Sequence, residues 1–467
     1  MTTTSHPLYR LRRESALSDP RHVDRSAVRH GHVISTARPD RRPPTLGHRL
    51  ALGAVALVLA GCASTTSPPP TGPAGTAPTP PVERSSGQAS ASAPASVPPS
   101  SRPTTKPTAR PAATPSAAAS CVSRTLASLD EPQRIGQLFI LGLNGDAVTG
   151  AERTAIAGYH FGSMTFTVTT REGVAGVRAV ASAVQALATK AATGSIGFFV
   201  AGNQEGGHIQ GFQGPGFDTI PTALAQGALS PSTLRTDAAR WGRQLAAAGV
   251  NLDFAPVADT VPPGTDKQNA PIGQLQREYG HDPTTVASHV TAFIAGMRSA
   301  GVATTAKHFP GLGRVAGNTD DTGDVVDTVT TADDPYLGPF KAAIAAGTPF
   351  VMVSLATYTK MDPDHLAAFS PTIVAGLLRG TLGFRGVIVS DSLTAEAVSS
   401  IPPATRATDF ISAGGDMLIS NFVTPAEQMA KGIASRAASD ATFRALVDAA
   451  VTRVLEAKQA AGLLPCD

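Results

Sequence analysis

Lys307 and His308 stand side by side in Lys307-His308-Phe309-Pro310-Gly311-Leu312-Gly313, a cation next to an imidazole. They follow Gly-Val-Ala-Thr-Thr-Ala over 301–306, a small and β-branched run that predicts a buried strand. Both polar groups therefore fall where that strand ends. Pro310, Gly311 and Gly313 break it and release a loop. The loop runs through Asn318, Thr319, Asp320 and Asp321 to Asp324 and Asp327. Other apolar runs end in the same way. Residues 197–201 lead into Asn203-Gln204-Glu205-Gly206-Gly207-His208. The run 251–257 carries Asp253 and exits to Asp259, with Arg277 further along, and 386–390 exits at Asp391. An acid at the mouth of an apolar strand is costly unless it is paired or used. A carboxylate kept ionised by nearby cations, with donors converging on it, suits a nucleophile at the anomeric carbon of a sugar. The alternative for Asp391 is a cap on a helix over 394–398. For the acids after Lys307 the alternative is a solvated loop.

These residues need a scaffold that brings strand ends together. Eight strands are predicted, at 137–143, 163–168, 197–201, 251–257, 302–307, 349–355, 386–390 and 416–420, alternating with helical patterns. The helix over 283–300 shows the grammar: Asp282 caps it, Pro283 fills its first turn and Gly301 stops it. Its residues Val286, Val290, Phe293, Ile294 and Met297 share one face. A second helix over 233–248 leads through Gly249 into the fourth strand. Strands and helices in alternation predict a parallel sheet with right-handed crossovers, and eight strands close a single (β/α)8 barrel of the TIM type, class α/β. An open doubly wound sheet is the competitor, but no Gly-x-Gly-x-x-Gly follows the first strand.

The chain has 467 residues, 16% of them charged, a net charge of +3, and three cysteines, Cys62, Cys121 and Cys466. No clustered basic face with stacking aromatics points to nucleic acid, and no cysteine pair has zinc-site spacing. Residues 1–48 are polar and basic, and disorder is expected. The apolar run over 49–59 behind a basic flank predicts a signal-peptide core. It ends in Leu59-Ala60-Gly61-Cys62, which resembles the lipobox of bacterial lipoproteins. That resemblance implies lipidation at Cys62, removal of residues 1–61, and an extracytoplasmic chain anchored to the cell membrane. Residues 62–120 are rich in Pro, Ser, Thr and Ala and predict an extended tether. Residues 121–467 form the barrel domain. Cys121 and Cys466 sit at its two ends, and a closed barrel brings its first and last elements together, so a disulfide is expected between them.

The motifs, in order, resemble glycoside hydrolase family 3, in its bacterial β-N-acetylglucosaminidase branch. They are Gln204-Glu205-Gly206-Gly207, Ile220-Pro221, Asn251-Leu252-Asp253-Phe254-Ala255-Pro256-Val257, Arg277-Glu278-Tyr279-Gly280-His281-Asp282-Pro283, Lys307-His308-Phe309-Pro310-Gly311 and Val387-Ile388-Val389-Ser390-Asp391-Ser392-Leu393. The resemblance spans about 125–460. It implies a cofactor-free and metal-free, retaining exo-β-N-acetylglucosaminidase acting on peptidoglycan fragments or other N-acetylglucosamine-terminated glycans, and a monomer is expected. Asp391 would be the nucleophile, and Arg277, Lys307 and His308 would hold sugar hydroxyls. The chain departs from the family pattern in three places. Asn203 and His208 replace the acid and the arginine at the two ends of Asp-Gln-Glu-Gly-Gly-Arg. Asn203 can still bind a hydroxyl, more weakly than a carboxylate does. The branch's Asp-x-His dyad reads Asn318-Thr319-Asp320 here, which makes Asp320 the candidate acid/base, with Asp321, Asp324 and, more weakly, Glu205 as alternatives. A family 3 β-glycosidase of other specificity, or a non-catalytic muropeptide-binding lipoprotein, are the competing readings.

Overall fold

A computed structural model describes residues 120–466 of the chain. The signal segment, Cys62 and the tether up to residue 119 lie outside the described residues.

Eight parallel strands close a barrel. They are β1 Phe139–Leu143, β2 Ser163–Phe166, β3 Phe199–Gly202, β4 Leu252–Asp253, β5 Ala303–Phe309, β6 Phe350–Val353, β7 Val387–Ser392 and β8 Met417–Ser420. Each pairs with its neighbours in chain order, and β8 closes on β1 through Phe139↔Leu418, Ile140↔Ile419 and Leu141↔Ser420. A helix follows every strand, from Gly150–Tyr159 after β1 to Val423–Ser439 after β8, and the segment after β6, Thr372–Thr381, is a π-helix. Strands covered by helices outside and by one another's side chains inside read as continuous apolar runs. Every residue of β1, β2, β3 and β8 is accordingly buried. The rings of Phe199 on β3 and Phe350 on β6, strands that are not neighbours, meet edge to face at 5.3 Å.

All eight predicted strands are present, with two shifts in extent. β4 stops at Asp253 because Pro256 offers no backbone donor to a ladder. Beyond it the pairing with β5 continues irregularly, through Thr305 N–H to the Ala255 carbonyl at 2.9 Å, Lys307 N–H to the Pro256 carbonyl at 3.2 Å and the bridge Val257↔Lys307. β5 instead runs on through Lys307 and His308 to Phe309, which places both polar side chains on the strand itself. The helix start read at Asp282 is formed as expected, with its Oδ1 accepting from the backbone N–H of Thr284 and Thr285 at 3.0 and 2.9 Å.

The opposite end of the barrel is sealed by the last helix, Ala441–Ala460. Its Lys458 is wholly buried and donates from Nζ to Gln137 Oε1 and to the Gly162 carbonyl, both at 2.7 Å. Two acceptors match the two hydrogens of a neutral amine, and burial pushes the Lys458 pKa down from 10.5 to about 7. The folded value lies below the unfolded one, so the unfolded chain binds more protons between them, and stability rises as pH climbs from about 7 to 10.5. Lys458→Met is expected to flatten that rise, read as the difference in melting temperature between neutral pH and about pH 9.5 for variant and wild type. Beyond this helix the chain returns to its first one. Cys466 is joined by a disulfide to Cys121 on Cys121–Ser128, with Cα atoms 5.9 Å apart.

Candidate active site

The C-terminal ends of β3, β4, β5 and β7 bring the predicted site residues to one mouth. At its base Glu205, just past β3, is buried with only 3% of its surface exposed. Arg277 clamps it with two parallel bonds, Nε to Oε2 and Nη2 to Oε1, both 2.8 Å. Lys307 approaches the same carboxylate at 2.6 Å, and its Nζ also donates to Asn203 Oδ1 at 2.6 Å. Burial opposes charge on Glu205, but the two cations outweigh it and hold the carboxyl down at about 2. This corrects the expectation that Glu205 could serve as a proton donor: at any working pH it has no proton to give.

Beside this cluster Asp253 on β4 is fully buried. Its Oδ1 accepts from the Gln204 backbone N–H at 3.0 Å, and its Oδ2 accepts from no described residue. Burial pushes this carboxyl up to about 7; the Gln204 N–H and Lys307 oppose the rise, and the charge of Glu205 adds to it.

His308 is aimed by Asp259, a residue whose role the sequence did not disclose. Asp259 is buried at the exit of β4; its Oδ2 meets His308 Nδ1 at 2.7 Å, and its Oδ1 accepts from the backbone N–H of His308 and Leu312 at 3.1 and 2.8 Å. A carboxylate on Nδ1 fixes the tautomer with the proton there, leaving Nε2 turned toward Arg277 Nη2, 3.5 Å away. The peptide bonds before His308 and before Pro310 are cis. Gly311, at a φ of 135° in the region that favours glycine, turns the chain away, and its carbonyl accepts from the Tyr358 hydroxyl at 2.8 Å.

The carboxylates of the mouth come from the end of β7 and from the loop after β5. Asp391 lies near the end of β7, partly exposed, its Oδ1 accepting from the neighbouring Ser392 N–H at 2.8 Å. It caps no helix: the turn Glu396–Val398 has no side-chain cap. The loop after β5 is fastened beside it by two backbone bonds, Ala397 N–H to the Thr319 carbonyl at 3.1 Å and Glu396 N–H to the Asp320 carbonyl at 3.4 Å. The backbone of Asp320 is thereby fixed near enough to Asp391 for that charge to act on its carboxyl. Solvent reaches its side chain, yet the protein surrounding it and then the Asp391 charge push the carboxyl up to about 6, against the pull of Arg277 and His308. Asp321, exposed like Asp320 and Asp324, accepts from Asn318 Nδ2 at 2.8 Å. Asp327 caps the turn at Val329 and Thr330. His208 sits exposed at the tip of a short hairpin.

An eight-stranded parallel barrel with carboxylates and a buried Arg–Glu–Lys cluster at its C-terminal mouth has the layout of a barrel glycoside hydrolase. Residues 129–457 match the glycosyl hydrolase family 3 N terminal domain, and the chain belongs to this family. The fold is similar to that of a β-N-acetylhexosaminidase from Beutenbergia cavernae, with a TM-score of 0.70 and 48% identity over 71% of this chain and 99% of that one. It is also similar to a family 3 β-N-acetylglucosaminidase from Paenibacillus sp. str. FPU-7, with a TM-score of 0.64 and 26% identity over 73% of this chain and 64% of that one. A β-hexosaminidase of Stenotrophomonas maltophilia (strain K279a) is 35% identical over 236 residues, a stretch that makes up 46% of this chain and 65% of that protein.

Proposed function

We propose that this protein is a retaining exo-β-N-acetylglucosaminidase in which Asp391 is the nucleophile and Asp320 the general acid and base. The observation that carries the reading is the pair itself. Asp320 lies near enough to Asp391 for that charge to act on it and has its carboxyl pushed up to about 6, so that near neutral pH one member of the pair can hold a proton to give. Asp391 attacks the anomeric carbon while the glycosidic oxygen leaves with the Asp320 proton. Water, deprotonated by Asp320, then releases the sugar from Asp391. Arg277, Lys307, His308 and Asn203 line the floor and hold the sugar's hydroxyls. Lys307 and Arg277 are themselves fixed by Glu205, so they meet the substrate without having to be ordered first. The names of the similar proteins support an N-acetylhexosaminide as substrate. The substrate is proposed to be a peptidoglycan fragment, met outside the cytoplasm by a chain anchored through lipid at Cys62. Aryl glycosides of N-acetylglucosamine and of glucose, compared side by side, test the specificity. Preference for the glucoside would overturn it in favour of a family 3 β-glycosidase of other specificity. The residue that favours this second reading is Asp320 itself, which stands where the N-acetylglucosaminidase branch carries histidine.

Because the acid must be protonated to act, kcat/KM is expected to fall by about tenfold per pH unit above about pH 6. Asp320→Ala is expected to lower cleavage of glycosides with poor leaving groups by on the order of 10²-fold and to leave activated aryl glycosides much less affected. Added azide should restore turnover of the variant and yield a glycosyl azide. Equal cleavage of both substrate types by the variant would place the acid elsewhere.

A further inference from the structure

Away from the carboxylates of the mouth, the long excursion between β4 and the helix Pro283–Ser299 brings together Asp266, Glu278 and His281. One ligand atom from each lies within 4.8 Å of the other two. The three come from separate turns of the excursion, and Asn269 holds those turns in place. Its Nδ2 donates to the carbonyls of Leu312 and Val315, both at 2.7 Å, and its Oδ1 accepts from the N–H of Ile272 and Gly273. Gly273 crosses so close to the Asp266 backbone that a Cβ there would stand 2.7 Å from the Asp266 Cα.

Glu278 is the second, independent sign of a ligand. Its side chain is buried, with 0% of its surface exposed, and neither Oε1 nor Oε2 accepts a hydrogen bond from any described residue. Asp266 Oδ1 accepts none either and lies 3.5 Å from His281 Nδ1. The Val261 carbonyl lies 3.3 Å from the same nitrogen. A fully buried carboxylate without a donor, such as Glu278, is among the costliest things a protein can hold; the Asp266 side chain beside it is 34% exposed.

We infer that Asp266, Glu278 and His281 bind a divalent cation of the zinc class, which acts as a clip on the loop that carries Arg277. Two carboxylates neutralise its two charges. One imidazole nitrogen beside carboxylate oxygens is a donor set that suits zinc better than calcium or magnesium, which prefer oxygen alone. Glu278 follows Arg277 directly in the chain, and Arg277 Nη1 is held in turn by the Pro271 carbonyl at 2.8 Å. A cation on Glu278 therefore stiffens the backbone from which Arg277 reaches Glu205. The inference stands on this loop alone and does not depend on which sugar the mouth accepts.

The test uses the untagged full-length protein, stripped with chelator and titrated with zinc, calcium and magnesium salts, beside Glu278→Gln and His281→Ala. The glutamine is isosteric and His281 is partly exposed, so both variants are expected to fold, which circular dichroism checks. Wild type is expected to bind one more equivalent of zinc than either variant, by elemental analysis after gel filtration. Zinc is also expected to raise the melting temperature of wild type and of neither variant. The comparison cancels any zinc taken up by Cys62, by histidines of the first 48 residues or by the acids of the mouth. Equal zinc stoichiometry in all three proteins, with no difference in melting, would overturn the site and leave a proton shared between Glu278 and Asp266. Calcium or magnesium bound in place of zinc, with the same dependence on the two residues, would overturn the assignment to the zinc class.

Discussion

Asp391→Ala is expected to lower turnover by on the order of 10⁴-fold while leaving the fold intact, the scale of loss when a covalent mechanism is deprived of its nucleophile. The fold should survive because Asp391 carries little of it. The side chain is partly exposed at the end of β7, and its one recorded bond is to the N–H of the next residue. The apolar residues of β7 that pack the barrel, Val387, Ile388 and Val389, all precede it. The loss should be large because Asp320 cannot take over: its carboxyl has to hold a proton for the leaving group, and attack needs an ionised oxygen. An activated 2-fluoro sugar should form a stable adduct with wild type. Peptide mapping should place the adduct on Asp391, and a label on any other residue would sink the assignment. Circular dichroism of the alanine variant, unchanged from wild type, separates lost chemistry from lost structure.

Glu205→Ala is expected to destabilise the barrel by about 3–5 kcal/mol and to abolish most of the activity as well. Arg277 and Lys307 both close on this one carboxylate, and Lys307 is itself 2% exposed. Removing the acid leaves two largely buried cations without their carboxylate, which is the costly half of breaking a buried ion pair. The pH dependence gives an independent measure of the same interaction. Glu205 is lowered from 4.5 to about 2 in the folded protein, so its stabilising contribution is fully present above pH 4.5 and is lost as pH falls through about 2. That shift corresponds to about 3 kcal/mol, in line with the cost of the substitution. Urea unfolding of wild type and of Glu205→Gln at pH 7 and at several values below 4.5 is the measurement. Wild type should lose stability across this window and the glutamine variant should lose less. Parallel curves would mean that the carboxylate is not the partner of both cations.

The acid proposed here, a carboxyl on a tied-down loop, differs in a physical way from an imidazole. Two backbone bonds fasten Thr319 and Asp320 to Glu396 and Ala397, in the loop that follows Asp391 and β7. The loop released after β5 is already fixed beside Asp391, and positioning of this kind supplies a large part of what such a mechanism needs.

The sequence by itself determined the architecture. Eight short apolar runs alternating with capped helices admit few arrangements other than a closed parallel barrel, because parallel strands need crossovers and buried strands need cover on both faces. It also placed Asn203, Arg277, Lys307, His308 and Asp391 near one mouth, since polar residues at strand ends converge when the barrel closes. What it could not determine were the pairings among those residues. Glu205, Arg277 and Lys307 are separated by dozens of positions, and only packing decides that one carboxylate takes both cations and so loses any capacity to donate a proton. Asp259 looked like a strand-exit acid until the turn after β5 brought His308 Nδ1 onto it. Asp320 could not be told from Asp321 by composition. The two differ in the fold: the Asp320 carboxyl feels the Asp391 charge, whereas the Asp321 carboxyl accepts from Asn318 Nδ2. Strands are read from local periodicity, which the chain carries along its length. The protonation state of a carboxyl depends on charges and solvent a few ångströms away, and those neighbours exist only once the chain has folded.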